Sequence, residues 1–174
     1  MTRSVNPYQL LGFAVTALGG TLLHYLYDFS GEALWVAPFS GVNESTAEHM
    51  KLLFWPMFLF AIAEWFFFRE RRDFWCIKLR GILLGLVAIP LLFYTYNGAI
   101  GKSPDFVNIV IFFVAAAVAY IYETRRFHDT RVPCQHPRAA FSALCVIAFL
   151  FVLFTFRTPE IGLFRDPLTG GYGI

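Results

Sequence analysis

Two histidines and two carboxylates of potential chemical importance lie close together in this otherwise apolar chain. His24 and Asp28 are about one helical turn apart in HYLYDFSG, and Glu44 and His49 follow in VNESTAEHMK. Imidazole nitrogens and carboxylate oxygens are ligands that Zn²⁺ and related divalent ions bind in proteins. His24, Asp28, Glu44 and His49 are therefore the candidate metal ligands. Glu44 is also the candidate catalytic residue, as a general base toward a metal-bound water.

The segment before His49 predicts the start of a helix. Ser45 and Glu48 match the capping box S-x-x-E. His49 then lies in the first turn, where the helix dipole favours a neutral imidazole, the form that binds metals. The alternative is purely structural: Ser45 and Glu48 cap the helix, His24 packs against a neighbouring helix and Asp28 ends the first helix in water.

Other polar residues are expected to surround this site or to cover it. The C-terminal segment 157–174 carries apolar residues at Ile161, Leu163, Phe164 and Leu168, and we predict that it folds back over the site as a lid. The residues expected in the second shell or in the lid are Asn43, Glu48, Lys51, Arg165 and Asp166.

The composition indicates a membrane protein. The chain has 174 residues, of which 57% are hydrophobic and only 15% are charged, whereas a soluble domain has about 25% charged residues. A bilayer core needs about 20 mostly apolar residues per helix. We therefore predict an all-α, polytopic membrane protein: a single domain over residues 1–174 with five transmembrane helices at about 8–28, 50–69, 77–97, 105–123 and 138–156.

The basic residues predict the orientation of these spans. Ten Lys and Arg residues precede the first span or lie in the loops after spans two and four, against four on the other side. The positive-inside rule then places the N-terminus in the cytoplasm and the C-terminus outside. The candidate ligands and the tail fall on the outer side, where seven acidic against four basic residues give a net charge of −3. Such a face favours a cation or a cationic ligand.

The first span contains a ridge of small and polar residues. Gly12, Thr16, Gly20, His24 and Asp28 recur every four residues. Small residues at this spacing allow another helix to approach closely, so we expect the ridge to face the bundle and to carry His24 and Asp28 inward.

Two further features carry expectations of their own. Cys76, Cys134 and Cys145 show no paired spacing, and the predicted topology places two of them in the cytoplasm, so no disulfide is expected. Glu64 is an intramembrane acid, which is either functional or paired with Arg69 or Arg80.

Three motifs spread over most of the chain carry a resemblance to a family. HYLYDFSG, VNESTAEHMKLLFWP and the closing LFRDPLTGGYGI resemble a family of small bacterial multi-pass membrane proteins of unknown function. The resemblance implies a helical membrane protein and points to the same outward-facing residues. We expect the protein in the inner (plasma) membrane. It implies no activity.

Three functions remain open from the sequence. The first is a metal-dependent hydrolase, with a divalent metal such as zinc, acting on a lipid or amphiphile. The second is a binding or transport component for a small cationic solute or a metal ion, although almost no polar residue besides Glu64 continues toward the cytoplasm. The third is an accessory subunit without chemistry. The expected partners are membrane lipids and a small amphiphilic or cationic ligand; no nucleotide-binding motif occurs and no nucleic acid is expected.

Overall fold

The protein folds as a bundle of five helices. The structure is a computed structural model and describes residues 6–101, 103–129 and 134–174. Within these ranges no strand occurs, which confirms the all-α class. The helices are α1 (Asn6–Phe29), α2 (Thr46–Trp65), α3 (Phe74–Ala99), α4 (Asp105–His128) and α5 (Pro137–Phe156), and a 3₁₀ turn follows at Gly162–Phe164.

Four of these helices are long and apolar enough to cross a membrane: α1, α3, α4 and α5. Their large apolar side chains point away from the bundle in great number. Leu22 on α1 is 71% exposed, and Leu91 on α3 and Phe149 on α5 are exposed to a similar degree. An apolar surface of this extent is typical of a protein that contacts lipid. The expectation of a membrane protein with apolar helices is thereby confirmed.

Helix α2 forms the centre of the bundle and packs against the four other helices. Its residues Leu53 and Phe54 are fully buried. The helix begins at Thr46 because the Ser45 hydroxyl accepts a hydrogen bond from the Glu48 backbone N–H (3.4 Å). It therefore starts and ends about four residues before the predicted span 50–69.

The ridge on α1 faces the bundle over its first three members, as predicted. Gly12, Thr16 and Gly20 are buried. Gly20 lies against the ring of Phe112 on α4, so closely that a Cβ atom would overlap with it. The absence of a side chain at Gly20 therefore lets α1 approach α4.

The ridge does not continue to Asp28. His24 is partly exposed and Asp28 is exposed, whereas Tyr27 is buried in its place. Four residues are slightly more than one helical turn of about 3.6 residues. Each successive member of the ridge therefore lies about 40° further around the helix. After several steps the ridge has turned away from the bundle.

The expectation that no disulfide forms is wrong in this structure. Cys76, in the first turn of α3, is bonded to Cys134, with 5.9 Å between the two Cα atoms. The 58 residues that separate them in the chain concealed the pairing, because only the return of α4 to the same end of the bundle brings Cys134 to Cys76. Cys145 is free.

We predict that Gly20→Ala destabilises the bundle, because the added methyl group forces the buried Phe112 ring to move. Overpacking of this kind costs about 1–3 kcal/mol. The matched control is Gly98→Ala on α3, where nothing lies within 4 Å of the added atom. Thermal unfolding in detergent, followed by circular dichroism, should show a lower midpoint for Gly20→Ala only. Equal midpoints for the two variants would contradict the proposed close contact.

Candidate functional site

Three of the four candidate ligands meet at one end of the bundle. His24 Nε2 lies 3.5 Å from Glu44 Oε1, and His49 Nε2 lies 3.6 Å from Glu44 Oε2. The two imidazole rings are 5.8 Å apart between their centres. One ligand atom from each residue can be chosen so that all three lie within 4.8 Å of one another. Glu44 thus stands between two imidazoles, each facing one of its carboxylate oxygens.

These distances suit a divalent ion. Ligands of a tetrahedral zinc ion lie about 2.0–2.1 Å from the metal and therefore about 3.3 Å from each other. The two histidine–carboxylate separations, 3.5 and 3.6 Å, are close to this value. Two histidines with one carboxylate is a set found in catalytic zinc sites and in non-haem iron(II) sites, both of which keep a coordination position open.

The hydrogen bonding of His49 orients its second nitrogen toward Glu44. His49 Nδ1 lies 3.0 Å from the backbone carbonyl oxygen of Ser45. A carbonyl only accepts hydrogen bonds, so Nδ1 carries the proton and donates it. In a neutral imidazole Nε2 then has its lone pair toward the Glu44 carboxylate, which is repulsive unless a proton or a cation lies between them. A backbone carbonyl that fixes the tautomer in this way is a common feature of metal-binding histidines.

The loop between α1 and α2 is tied to the helical turn that carries His24. The buried Ser40 hydroxyl accepts a hydrogen bond from the Tyr27 backbone N–H (2.9 Å) and donates one to the Leu23 carbonyl oxygen. Gly41 N–H also donates to the Leu23 carbonyl oxygen (3.2 Å). In a regular helix Tyr27 N–H and the Leu23 carbonyl would pair with each other. Ser40 therefore holds the loop against this turn and brings Glu44 within reach of His24.

A contact with the C-terminal tail fixes Asn43, the residue immediately before Glu44. The Asn43 side-chain amide donates to the Gly173 carbonyl oxygen (3.0 Å), and its oxygen accepts from the Ser45 N–H (2.9 Å). The tail is itself built by a turn in which Gly170 N–H donates to the Asp166 carbonyl oxygen (2.8 Å). Asn43 is thus fixed by a contact from a distant part of the chain, and its side chain in turn holds Ser45, on the other side of Glu44.

Lys51 and Glu48 serve as an anchor beneath the site and do not line it. Lys51 Nζ lies 2.6 Å from Glu48 Oε2, 2.8 Å from the Ala37 carbonyl oxygen and 3.2 Å from Thr155 Oγ1. These three acceptors use all three N–H groups of the ammonium. Glu48 Oε2 also accepts from the Val42 N–H (3.0 Å). The pair therefore joins α2 to the loop and to α5.

A cavity of about 340 Å³ adjoins the three ligands. It lies between α1 and α4, and residues of α2, α3 and the tail complete its wall. Its polar groups beyond the ligands come from Thr21, Tyr25, Asn97, Ser103 and Asn108. Its apolar lining comes from Leu52, Phe93, Ile109, Phe112, Phe113, Pro167 and Leu168. The apolar rim residues Ile109 and Phe113 are also exposed on the outer surface of α4, so the cavity adjoins the lipid-facing surface.

Two of the predicted site residues lie away from this cluster. Asp28 is exposed, and the group formed by His24, Glu44 and His49 does not include it. Arg165 is exposed and donates from Nε to the Gly170 carbonyl oxygen within the tail (3.3 Å). Asp166 is buried, and Pro167 and Leu168 next to it line the cavity. The tail therefore contributes apolar contacts to the cavity, and the Asp166 carboxylate accepts a hydrogen bond from the Glu44 backbone N–H.

The sequence reasoning missed a second polar cluster, at the opposite end of the bundle. Glu64 is paired with Lys78 on α3 (2.5 Å), not with Arg69 or Arg80, and Lys78 is also paired with Glu123 on α4 (2.6 Å). All three side chains are at most 2% exposed. The sequence could have indicated this cluster, because each of the three residues lies within a few residues of a helix end on the same side of the bundle.

The chain belongs to a family of unknown function (DUF6512), whose profile matches residues 1–174. The resemblance found in the motifs is thereby confirmed over the whole chain. No curated protein and no solved structure matches the chain.

The hydrogen bonds of Asp166 predict that docking of the tail depends on pH. Burial by itself would raise the pKa of Asp166, but hydrogen bonds from the Thr169 hydroxyl and from the backbone N–H groups of Leu168, Thr169 and Glu44 outweigh it and lower the pKa. An undocked aspartate has a pKa of about 3.9. The ionised carboxylate therefore stabilises the docked tail fully above that value, and this stabilisation is lost as the pH falls through the lowered docked pKa.

We expect hydrogen exchange of the segment 162–174, corrected for the intrinsic rate, to increase on acidification below about pH 4. Asp166→Asn should raise exchange of this segment at neutral pH and remove the part of the acid response that belongs to Asp166. If wild type and variant respond to acid identically, Asp166 does not hold the tail.

Proposed function

We propose that the chain is an integral membrane protein in which α2 is a fifth transmembrane helix. With 20 residues, α2 is about 30 Å long at 1.5 Å per residue, which matches the thickness of a bilayer core. Its charged residues Glu48, Lys51 and Glu64 lower its mean hydropathy, but they are buried within the protein. Lipid therefore meets the other helices and not these charges.

We further propose that the N-terminus faces the cytoplasm of the inner membrane and that the site faces outward. The asymmetry of ten against four basic residues supports this orientation. The Cys76–Cys134 bond supports the reverse, because it lies at the opposite end from the site, and cytoplasmic thiols are normally kept reduced. The basic residues decide our proposal because they act during membrane insertion, whereas the two thiols can pair afterwards when the protein is oxidised.

Reporter fusions at the C-terminus test this orientation. Alkaline phosphatase, which is active only outside the cytoplasm, is expected to be active, and a fluorescent protein that folds in the cytoplasm is expected to stay dark. The same two fusions made after His128, at the other end of α4, provide the control and should give the opposite pattern. A bright C-terminal fluorescent fusion would establish the reverse orientation.

For the site we propose a divalent metal centre held by His24, Glu44 and His49. The observation that carries this proposal is the convergence of two imidazole nitrogens on one carboxylate at 3.5 and 3.6 Å. Zinc is the first candidate because three protein ligands leave a position for water, whose pKa a zinc ion lowers to about 7. Glu44 lies between the histidines, so we assign it as the third ligand in preference to the role of general base.

The reaction that we propose is metal-dependent hydrolysis of a lipid or another amphiphile. The cavity supports this class of substrate because its rim of Ile109 and Phe113 adjoins the lipid-facing surface, while Asn97 and Asn108 offer amide groups to a polar head. A metal held by His24, Glu44 and His49 would supply an activated water. Addition of that water to an ester or amide carbonyl carbon would break the C–O or C–N bond, and the alcohol or amine would leave with a proton from the water. The apolar walls would hold the chain of the amphiphile.

Binding or transport of a metal ion or a small cation is the second candidate. It gains support from the polar residues buried on α1 toward the opposite end, since Gln9 donates to Glu64 (2.7 Å) and Thr16 is hydrogen-bonded to Tyr120 (2.8 Å). These contacts weaken the argument that polar groups are missing along the helix interiors. None of these four residues lines the cavity beside His24.

Metal analysis of the full-length protein tests the site. After equilibration with zinc and removal of free ions, the wild type should retain one ion per chain, and His24→Ala/His49→Ala should retain almost none. We expect each single histidine variant to weaken zinc binding by at least about tenfold. His128→Ala and Asp28→Ala are the controls, since His128 lies at the opposite end and Asp28 lies outside the group. Equal zinc content in wild type and double variant would overturn the metal centre.

The same samples test the reaction. Protein reconstituted in vesicles of bacterial inner-membrane lipid should release a fatty acid or a head group, detected by mass spectrometry. The release should stop on chelation and fall by at least about a hundredfold in Glu44→Gln, because removing the charged ligand alters the metal-bound water. Zinc binding without any release of product would favour the binding or transport role.

A further inference from the structure

The cluster formed by Glu64, Lys78 and Glu123, called the buried triad below, contains an excess of negative charge. Lys78 Nζ lies 2.5 Å from Glu64 Oε2 and 2.6 Å from Glu123 Oε2. Two carboxylates against one ammonium leave a net charge of −1 if every group is ionised. The side chains of all three are at most 2% exposed. An uncompensated charge in such surroundings is strongly unfavourable, and a buried carboxylate normally relieves it by binding a proton.

Among the residues that the structure describes, no cation other than Lys78 is paired with Glu64 or Glu123. On α1, Gln9 donates to Glu64 Oε1 (2.7 Å) and is neutral. On α4, Tyr120 is engaged with Thr16 (2.8 Å). Arg71, which lies 5.1 Å from the ring centre of Phe127, is paired with Asp73 (2.8 Å).

The ammonium of Lys78 is well placed to remain charged. Beyond its two carboxylate partners it lies 5.7 Å from the ring centres of Phe74 and Tyr120 and 5.5 Å from that of Phe127. Aromatic faces at this distance attract a cation. The excess charge is therefore relieved at a carboxyl group and not by loss of charge on the lysine.

One carboxyl oxygen identifies where a proton is accommodated. Glu123 Oε1 and Glu64 Oε2 are both buried without a hydrogen-bond partner. Glu64 Oε2 is paired with Lys78 Nζ (2.5 Å), whereas the ion pair of Glu123 is made by its other oxygen, Oε2, so that Oε1 has neither kind of partner. The second oxygen of Glu64 accepts from Gln9. Glu123 Oε1 packs against Gly81 on α3, where a Cβ atom would lie 2.5 Å from it. A bare carboxylate oxygen in this position is unsolvated, and a protonated carboxyl removes the charge from it.

We propose that the buried triad is a proton-binding site: Glu64 and Glu123 share one proton, held chiefly by Glu123, so that the triad is electrically neutral inside the bundle. The site is separate from the one beside His24, and its ligand is the proton. The proposal does not depend on a metal or on hydrolysis.

Infrared spectroscopy of the full-length protein in lipid tests this proposal through the C=O stretch of a protonated carboxyl group, which shifts when H₂O is replaced by D₂O. The wild type should show this band at neutral pH. Glu123→Gln and Glu64→Gln should each abolish it, because either change leaves one carboxylate paired with Lys78 and no excess charge. Glu44→Gln, which alters the other end of the protein, is the matched control and should keep the band.

Lys78→Met is expected to strengthen the band, whereas the glutamine variants abolish it. This variant therefore distinguishes a proton bound to the triad from a general effect of substitution on the structure. Without the ammonium both carboxyl groups should be protonated, so the band should become about twice as strong. Circular dichroism verifies that each variant keeps its helices. A wild-type spectrum without the band at neutral pH would overturn the proposal with no variant needed, and so would a band that persists in both glutamine variants.

Discussion

The burial of charged side chains on α2 is the constraint on which the rest of the structure depends. The other four helices can expose apolar surface to lipid, but α2 lies at the centre and carries Glu48, Lys51 and Glu64 into the buried interior. Each charge must therefore find its partners inside the protein. Lys51 obtains them from the loop and from α5, and Glu64 obtains them from α3. The positions of the loop and of the neighbouring helices follow from these requirements.

The anchoring of the loop by Lys51 has a direct consequence for the candidate site. The loop is fixed by Lys51 at Ala37, by Ser40 at the turn that carries His24, and by the tail at Asn43. Glu44 follows immediately after the last of these points. A carboxylate on a free loop would lose conformational entropy on binding a metal, whereas this backbone is ordered before any ligand arrives. The anchored loop before Glu44 and the start of α2 at Thr46 just after it bring three residues from separate elements together.

Much of the fold and part of the site could be predicted from the sequence. Apolar length is enough to locate most helices, and His24, Glu44 and His49 attract attention because such residues are rare in an apolar chain. Asp28 was expected to point inward with His24, but it is exposed because a four-residue repeat drifts around the helix. The contact between Asn43 and Gly173 joins residues 130 positions apart, and no local pattern encodes it. The pairing of Lys78 with Glu64 was overlooked because basic residues near helix ends were counted as loop charges.

The two polar clusters differ in exposure, and this difference determines what each can bind. The side chains of His24, Glu44 and His49 are between 18% and 38% exposed, and they border the cavity of about 340 Å³. The side chains of the buried triad are at most 2% exposed, and none of them lines that cavity. A proton is the ligand that needs the least space, which is why we propose it as the partner of the excess negative charge. Similar residue types thus lead us to propose metal binding for the partly exposed cluster and proton binding for the buried one.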